Sequence, residues 1–322
     1  MLKRVGLAWT QALVPENLLQ VDLKGKICLV TGSTVGGIGY ETAKKMYELG
    51  CNVILVCRSE KNGKEARDLI QQECSARMKQ IGTIDYILMD LDDLESVNKV
   101  AKQFKEKFTQ LDFLFNNAGV MFCPHSTTTQ GVEIQFGTNY LGHFLLTLSL
   151  MDLIKKVNGR IINVSSIGSK AFVKSEKDIT NFCSFSKESV MGDCENVASK
   201  QQLYGRSKLA QVLFSRKLAR EFKSSYCKVT SYSLHPGAVK TNLERHTSFL
   251  FDLATIIVKP LYKTPYEGAQ TSLYVALAPI SELENGGYYS ECSIDEASQF
   301  ADRIELQDTL WDTSMKLVED YL

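Results

Sequence analysis

The feature that most constrains the fold of this chain is its alternation of short apolar, β-branched runs with longer helical patterns. Residues 27–30, 53–56, 84–89, 113–115, 160–164 and 229–234 read as buried strands, with 286–289 as a seventh. Between them, residues 41–49, 61–73, 94–108, 132–154 and 204–222 carry helical patterns. Apolar runs without a polar alternate face suit strands covered on both sides, and right-handed crossovers through the helices wind such strands into a parallel sheet. The expected fold is therefore α/β, a doubly wound parallel sheet of the Rossmann type. No internal repeat, low-complexity tract or Pro/Gly-rich linker divides the 322 residues, which suffice for one large core. The expected organisation is an N-terminal arm at 1–22 and a single domain at 23–322, with substrate loops at 168–202 and 242–262. The first loop is polar and rich in lysine. It reads as a surface excursion, either a tolerated insertion or a flap near the substrate.

Charge excludes one class of partner. Lysine plus arginine and aspartate plus glutamate number 37 each, so no net basic field favours nucleic acid. The nine cysteines include no CxxC pair or Cys/His cluster, which argues against a disulfide framework and against a metal site. The arm carries Lys3 and Arg4, but its apolar stretch is short and broken. It reads as no signal peptide, with a surface-lying amphipathic arm as an alternative. The uncharged run at residues 134–151 contains Gln135, Asn139 and His143 and falls short of the ~20 apolar residues of a spanning helix.

The first strand runs into Thr31-Gly32-Ser33-Thr34-Val35-Gly36-Gly37-Ile38-Gly39, and a helix follows. Glycines permit a tight turn and let backbone N–H groups approach a pyrophosphate, while the helix N-terminus favours negative charge. This is the context in which a glycine cluster carries meaning. Gly32, Ser33, Thr34, Gly37, Ile38 and Gly39 are accordingly the candidate cofactor cradle. The second strand ends at Arg58, where an NAD enzyme usually places an acidic residue for the ribose 2′-hydroxyl. A guanidinium offers instead a planar, permanently charged fork for a 2′-phosphate. The cofactor expectation is thus NADP(H), ahead of NAD(H).

Proton transfer beside a hydride path needs an acid and base that works near neutral pH. A free phenol, with pKa about 10, is about one part in a thousand ionised at pH 7, and lowering it by about three units takes roughly 4 kcal/mol. A lysine about 4 Å away supplies about that much at an effective dielectric near 20. Tyrosine and lysine at i and i+4 share a helix face. The spacing occurs twice, at Tyr40…Lys44 and Tyr204…Lys208. The first reads as ordinary helix surface, the second as the candidate acid–base pair.

The motifs together resemble the short-chain dehydrogenase/reductase family, in its retinol-dehydrogenase-like and dehydrogenase/reductase X-linked-like branch. Thr31-Gly32 with Gly37-Ile38-Gly39 is similar to TGxxxGIG, with one residue too many between its halves. Either the loop bulges, or Gly36 replaces Gly37 at the phosphates. Asn116-Asn117-Ala118-Gly119 resembles NNAG, Asn139 to Phe144 the NxLGHF segment, Asn163-Val164-Ser165-Ser166 the NVSS strand end, Tyr204 to Lys208 the YxxSK segment, and Pro236 to Thr241 the PGxVxT segment.

The resemblance implies that Tyr204 is the acid/base. It implies that Lys208 lowers the Tyr204 pKa and binds the nicotinamide ribose, and that Asn139 holds a proton-relay water near the lysine. Ser166 orients the substrate oxygen, with Ser165 as the alternative. Asp90 and Leu91 flank the adenine, and Asn117, Ala118 and Gly119 shape the sheet edge beside the cofactor. Pro236, Gly237, Val239 and Thr241 lie at the nicotinamide carboxamide. His143 is taken as a packed helix residue.

The implied function is an NADP(H)-dependent oxidoreductase of CH–OH groups. Its substrate is a small-molecule alcohol or carbonyl, lipophilic as in retinoid, steroid or polyprenol chemistry. A catalytically silent NADP(H)-binding scaffold or redox sensor is the rival reading. A homodimer, a cytoplasmic address and, as the alternative, peripheral contact with the endoplasmic reticulum membrane complete the expectations.

Overall fold

A computed structural model describes residues 12–75, 82–223, 226–240 and 262–322. Its centre is an eight-stranded sheet. The strands are β1 (Ile27–Thr31), β2 (Asn52–Cys57), β3 (Ile84–Leu88), β4 (Phe113–Asn116), β5 (Arg160–Val164), β6 (Thr230–His235), β7 (Tyr288–Ser290) and β8 (Ser293–Asp295), in the order β3-β2-β1-β4-β5-β6-β7-β8. Strands β1 to β7 pair in parallel, and β8 returns antiparallel on β7 with Tyr289 opposite Ile294. The sheet expected from sequence is present. Its antiparallel edge was not foreseen, because three residues are too few to show a period. Every residue of β4 and β6 is buried, as expected of strands covered on both faces, although β6 carries Thr230, Ser231, Ser233 and His235 among its apolar residues.

Helices cover both faces. On one lie α1 (Ile38–Glu48), α2 (Glu60–Ser75) and α6 (Pro265–Leu277). On the other lie α3 (Leu94–Lys107), α4 (Gly142–Ser149), α5 (Lys200–Phe222) and α7 (Ile304–Val318). Strand order reverses between β1 and its neighbour β4. In an open α/β sheet a ligand crevice forms at such a switch point, outside the carboxyl ends of the strands.

Two expectations meet differences. The helix read over residues 132–154 is composite. A short turn at Ile134–Phe136 passes into a π-helical turn at Gly137–Leu141, then α4, and then a separate segment at Met151–Lys156. A wide turn redirects backbone carbonyls, and such turns gather at functional sites. The hydrophobic period does not register it.

The excursion at 168–202, read as irregular, holds short helices at Gly168–Ala171, Glu176–Asn181 and Lys187–Val190. Val173, Ile179, Phe182, Phe185 and Val190 are buried in the core beneath it. Arg206 of α5, itself fully buried, pins this segment. It pairs with Glu133 at 3.1 Å and donates to the carbonyls of Phe182 (3.2 Å) and Ser189. Glu133 in turn accepts from the backbone N–H groups of Gln135 and Phe136. A buried ion pair, each side of which makes further hydrogen bonds, therefore joins α5 to the segment carrying Asn139.

At the other end of the chain, Val14 and Leu18 are buried, and the Val14 N–H donates to Gln270 of α6 at 3.1 Å.

Candidate active site

Two joined clefts open at the switch point. The first lies over the glycine turn. Thr31, Gly32, Thr34, Gly37 and Ile38 line one wall. Arg58, Asp90, Leu91, Asn117, Ala118 and Gly119 line much of the rest. Gly32 has φ +71°, and a Cβ there would lie 2.8 Å from Ala118 Cα, so only glycine fits. Gly36 has φ +76° and open space around it. It is the third residue of a turn closed by the Gly37 N–H on the Thr34 carbonyl at 3.0 Å. A positive φ is what such a turn demands at that position. The extra residue is thus a bulge at Gly36, which does not line the cleft, whereas Gly37 caps α1 and does.

Asn117 fastens the turn. Its N–H donates to Thr31 Oγ1 at 2.9 Å and its Nδ2 to the Thr31 carbonyl at 2.7 Å. The Ser33 hydroxyl is buried and spent on the Val30 carbonyl at 2.8 Å, so its side chain faces away from the cleft. Gly39 serves close packing, since a Cβ there would meet the Asn117 side chain and the Gly32 carbonyl. At the far end, burial and a hydrogen bond with Asp90 raise the Asp92 carboxyl to about 6, and nearby Arg58 opposes the rise.

The second cleft has a cavity volume of about 320 Å³ and shares Ile38, Asn117, Gly119 and Met121 with the first. Ser166, Tyr204, Lys208, Pro236, Gly237 and Val239 all line it, together with Phe122, Ile167 and Phe172. Thr241 lies outside the described residues.

Tyr204 stands in the first turns of α5, a helix opened by a capping box between Ser199 and Gln202. Burial pushes its phenol up to about 12, and a hydrogen bond with Ser166 works against that rise. The geometry separates the two serines. Ser166 faces Tyr204, while the Ser165 hydroxyl is buried and donates to the Lys208 carbonyl at 2.7 Å. Phe122 packs edge-on against Tyr204 at 5.4 Å between ring centroids and against Phe172 at 5.8 Å. Phe122 has φ +52°, an unusual backbone for a bulky residue. Its N–H donates to Gln135 Oε1 at 2.9 Å, which holds it there.

Lys208 lines the same cleft as Tyr204. Its ammonium lies 5.8 Å from the centre of the Tyr204 ring and donates to the Val164 carbonyl at 2.8 Å and to Gln211 Oε1 at 3.1 Å. Burial drives it down to about 7. Asn139 is fully buried. Its side chain bonds both backbone groups of Val120 (2.7 and 2.9 Å) and Ser207 Oγ (2.9 Å).

Sequence reasoning missed Phe122, Phe172 and Gln211. The aromatic wall had no signal. Gln211 could have been found, since i+3 from Lys208 lies on the same helix face. The other Tyr/Lys pair, Tyr40 and Lys44, converges on Glu73 at the rim of α2 and lines neither cleft. Among the described residues no group of three or more His, Cys, Asp or Glu side chains could hold a metal ion. Nor, among the described residues, is any helix long and apolar enough to cross a membrane.

A Gly-turn cleft joined to a Ser/Tyr/Lys cleft on a doubly wound sheet defines a class of nicotinamide-dependent oxidoreductases. Comparison agrees. The short chain dehydrogenase family matches residues 26–177. Short-chain dehydrogenase TIC 32 A, chloroplastic, of Brassica napus is 35% identical over 305 residues, covering 93% of this chain and 90% of that protein. Retinol dehydrogenase 12 of Homo sapiens is 36% identical over 299 residues, covering 92% and 88%. Among solved structures, a short chain dehydrogenase of Shigella flexneri complexed with NADP superposes with a TM-score of 0.61 at 21% identity, covering 85% of this chain and all of that one. The chain belongs to the short-chain dehydrogenase/reductase family, in its retinol-dehydrogenase-like part. It is accordingly an oxidoreductase that binds a nicotinamide cofactor and transfers hydride.

Proposed function

We propose that this chain is an NADP(H)-dependent reductase or dehydrogenase of lipophilic carbonyls and alcohols, with Tyr204 as acid/base. The observation that carries the reading is the convergence of Ser166, Tyr204 and Lys208 on one largely apolar cleft that opens onto the glycine turn. The residues present fit the cofactor. The turn at Gly32 leaves a backbone cradle that a single Cβ would fill, at the N-terminus of α1 where a pyrophosphate is favoured. Gly32, Thr34, Gly37 and Ile38 would hold the pyrophosphate, Arg58 the 2′-phosphate, and Asp90 and Leu91 the adenine end. Tyr204 and Lys208 would hold the nicotinamide ribose, with Pro236, Gly237, Val239 and Thr241 beyond it.

Nicotinamide, when bound, supplies or takes up the hydride. Ser166 donates a hydrogen bond to the substrate oxygen and holds it at the Tyr204 hydroxyl. In reduction Tyr204 gives its proton to that oxygen as the alcohol forms, and in oxidation it takes the proton back. A phenol held at about 12 stays protonated at neutral pH, the form that reduction needs. Phe122 and Phe172 exclude water and set an apolar, aromatic lining, which supports a lipophilic substrate. A single domain over 23–322 behind an arm at 1–22 belongs to the same proposal. So do a homodimer and a cytoplasmic address, with peripheral contact with the endoplasmic reticulum membrane as the alternative.

Fluorescence titration with NADPH and NADH tests the cofactor, and a panel of retinoid, steroid and simple aldehydes followed by NADPH absorbance tests the substrate. Tighter binding of NADPH, by roughly tenfold or more for one charge-assisted fork, is expected. Equal affinities would refute the role of Arg58, and inertness towards every aldehyde would refute the reaction.

A further inference from the structure

We propose that Gln211 is a positioning residue that holds the Lys208 ammonium by bridging it directly to the backbone carbonyl of Asn139, where the family resemblance calls for a water. The inference rests on the reading of Tyr204 and Lys208 as the acid–base machinery.

The chemistry of the partners orients every bond in the bridge. An ammonium only donates and a carbonyl only accepts. Gln211 therefore presents Oε1 to Lys208 Nζ at 3.1 Å and Nε2 to the Asn139 carbonyl at 2.9 Å. All three residues are buried. The Asn139 carbonyl also accepts from His143 Nδ1 at 2.9 Å, so two donors already occupy its two lone pairs. With Nδ1 protonated, His143 Nε2 is left to accept from the Thr31 hydroxyl at 2.8 Å. Burial holds this ring neutral, its value pushed down to about 4. The π-helical turn at Gly137–Leu141 contains Asn139 and sets the direction of its carbonyl.

The consequence is a closed polar bridge. It runs from the end of β1, beside the glycine turn, through α4 to the catalytic helix, and a water can enter it only by displacing a side chain. Two of the three Lys208 donors are spent, on Val164 and Gln211. The cleft side of the ammonium is what remains to face the cofactor ribose. The titratable side chains that interact with Lys208 are Tyr204 on its own helix and His143 on α4.

The test compares Gln211→Met with Gln211→Ala. Methionine conserves the volume and removes both hydrogen bonds. Alanine makes room for water to rebuild the link. A packing role predicts that alanine is the worse replacement; a positioning role predicts the reverse. Lys208 is read directly from its 13Cε resonance across a pH series, assigned by its absence from Lys208→Met. The expected midpoint lies near 7 in the parent chain and moves down by about one pH unit in Gln211→Met, with Gln211→Ala between them. Alcohol oxidation at pH 7 is expected to lose kcat roughly tenfold in Gln211→Met and less in Gln211→Ala, with KM nearly unchanged. Gln211→Leu is a second apolar replacement with the same expected direction.

Identical lysine titrations in the parent and the apolar variants, or a greater loss in alanine than in methionine, would overturn the bridge. A parent chain that oxidises no alcohol refutes the reading on which the proposal rests, whereas the lysine titration judges the bridge without any turnover.

Discussion

The two clefts of this molecule are built in opposite ways. The cleft over β1 and β2 is made of backbone. Its shape comes from Gly32 and Gly36 at positive φ, the open N-terminus of α1, and an asparagine that laces the turn to the next strand. Its cationic residue, Arg58, is exposed at the rim. The cleft over β5 and β6 is made of buried side chains. Tyr204 and Lys208 are both within a few per cent of full burial, and both have their ionisation displaced by it, one up to about 12 and one down to about 7. A cofactor that brings its own charges needs little more than N–H groups and room. Proton transfer needs groups held in unfavourable states, and those must be taken out of water and packed.

The contrast can be broken most sharply at Tyr204. Replacing it with phenylalanine removes the proton and little else, so turnover is expected to fall by about 10²–10⁴-fold, with NADPH affinity nearly intact by fluorescence titration. Retained turnover would mean that the second cleft is not the proton-transfer site. Gly32→Ala tests the first cleft. The new methyl group meets Ala118 and forces a left-handed backbone on alanine. NADPH affinity is expected to drop by about tenfold or more, and thermal stability should fall as well. An alanine variant that binds as the parent does would show that the turn is not the cradle.

The smallest expected effect sharpens the comparison instead of breaking it. Lys208 titrates near 7 in the folded chain and near 10.5 when exposed. Between those values the unfolded chain binds more protons, so stability climbs as pH rises through the window, and below it the buried charge is a standing cost. Lys208→Met should therefore raise Tm at pH 7 by on the order of 5 °C while disabling turnover, and the gain should shrink towards pH 10. A lower Tm in this variant would mean that the bonds to Val164 and Gln211 outweigh the burial cost.

Within the described residues, the wound sheet, the positions of most helices and many of the polar and glycine residues that line the two clefts were legible in the linear chain. Strand and helix periods are local, and a TG…GIG turn or a Tyr/Lys pair four apart needs no distant partner to be recognised. The sequence also showed that one residue was in excess in the glycine turn. Only the fold shows where the excess goes: Gly36, in open space, takes the left-handed bend and leaves Gly37 at the helix N-terminus.

Tertiary structure alone decided four further matters. The π-helical turn at Asn139 was hidden inside one hydrophobic period, because periodicity averages over several residues. The excursion at 168–202 looked polar because its buried residues sit within or between helices of four to six residues, too short to show a helical stripe, and are anchored by Arg206 from another helix. That the Ser165 hydroxyl is spent on the Lys208 carbonyl turned on which way two adjacent side chains point. The state of Lys208 depended on burial and on acceptors from β5 and its own helix, including Gln211, whose other hand reaches a carbonyl 72 residues away. Chain-local chemistry names which groups are present. Their ionisation and their partners are set by how far each is removed from water, and that is a property of the packed molecule.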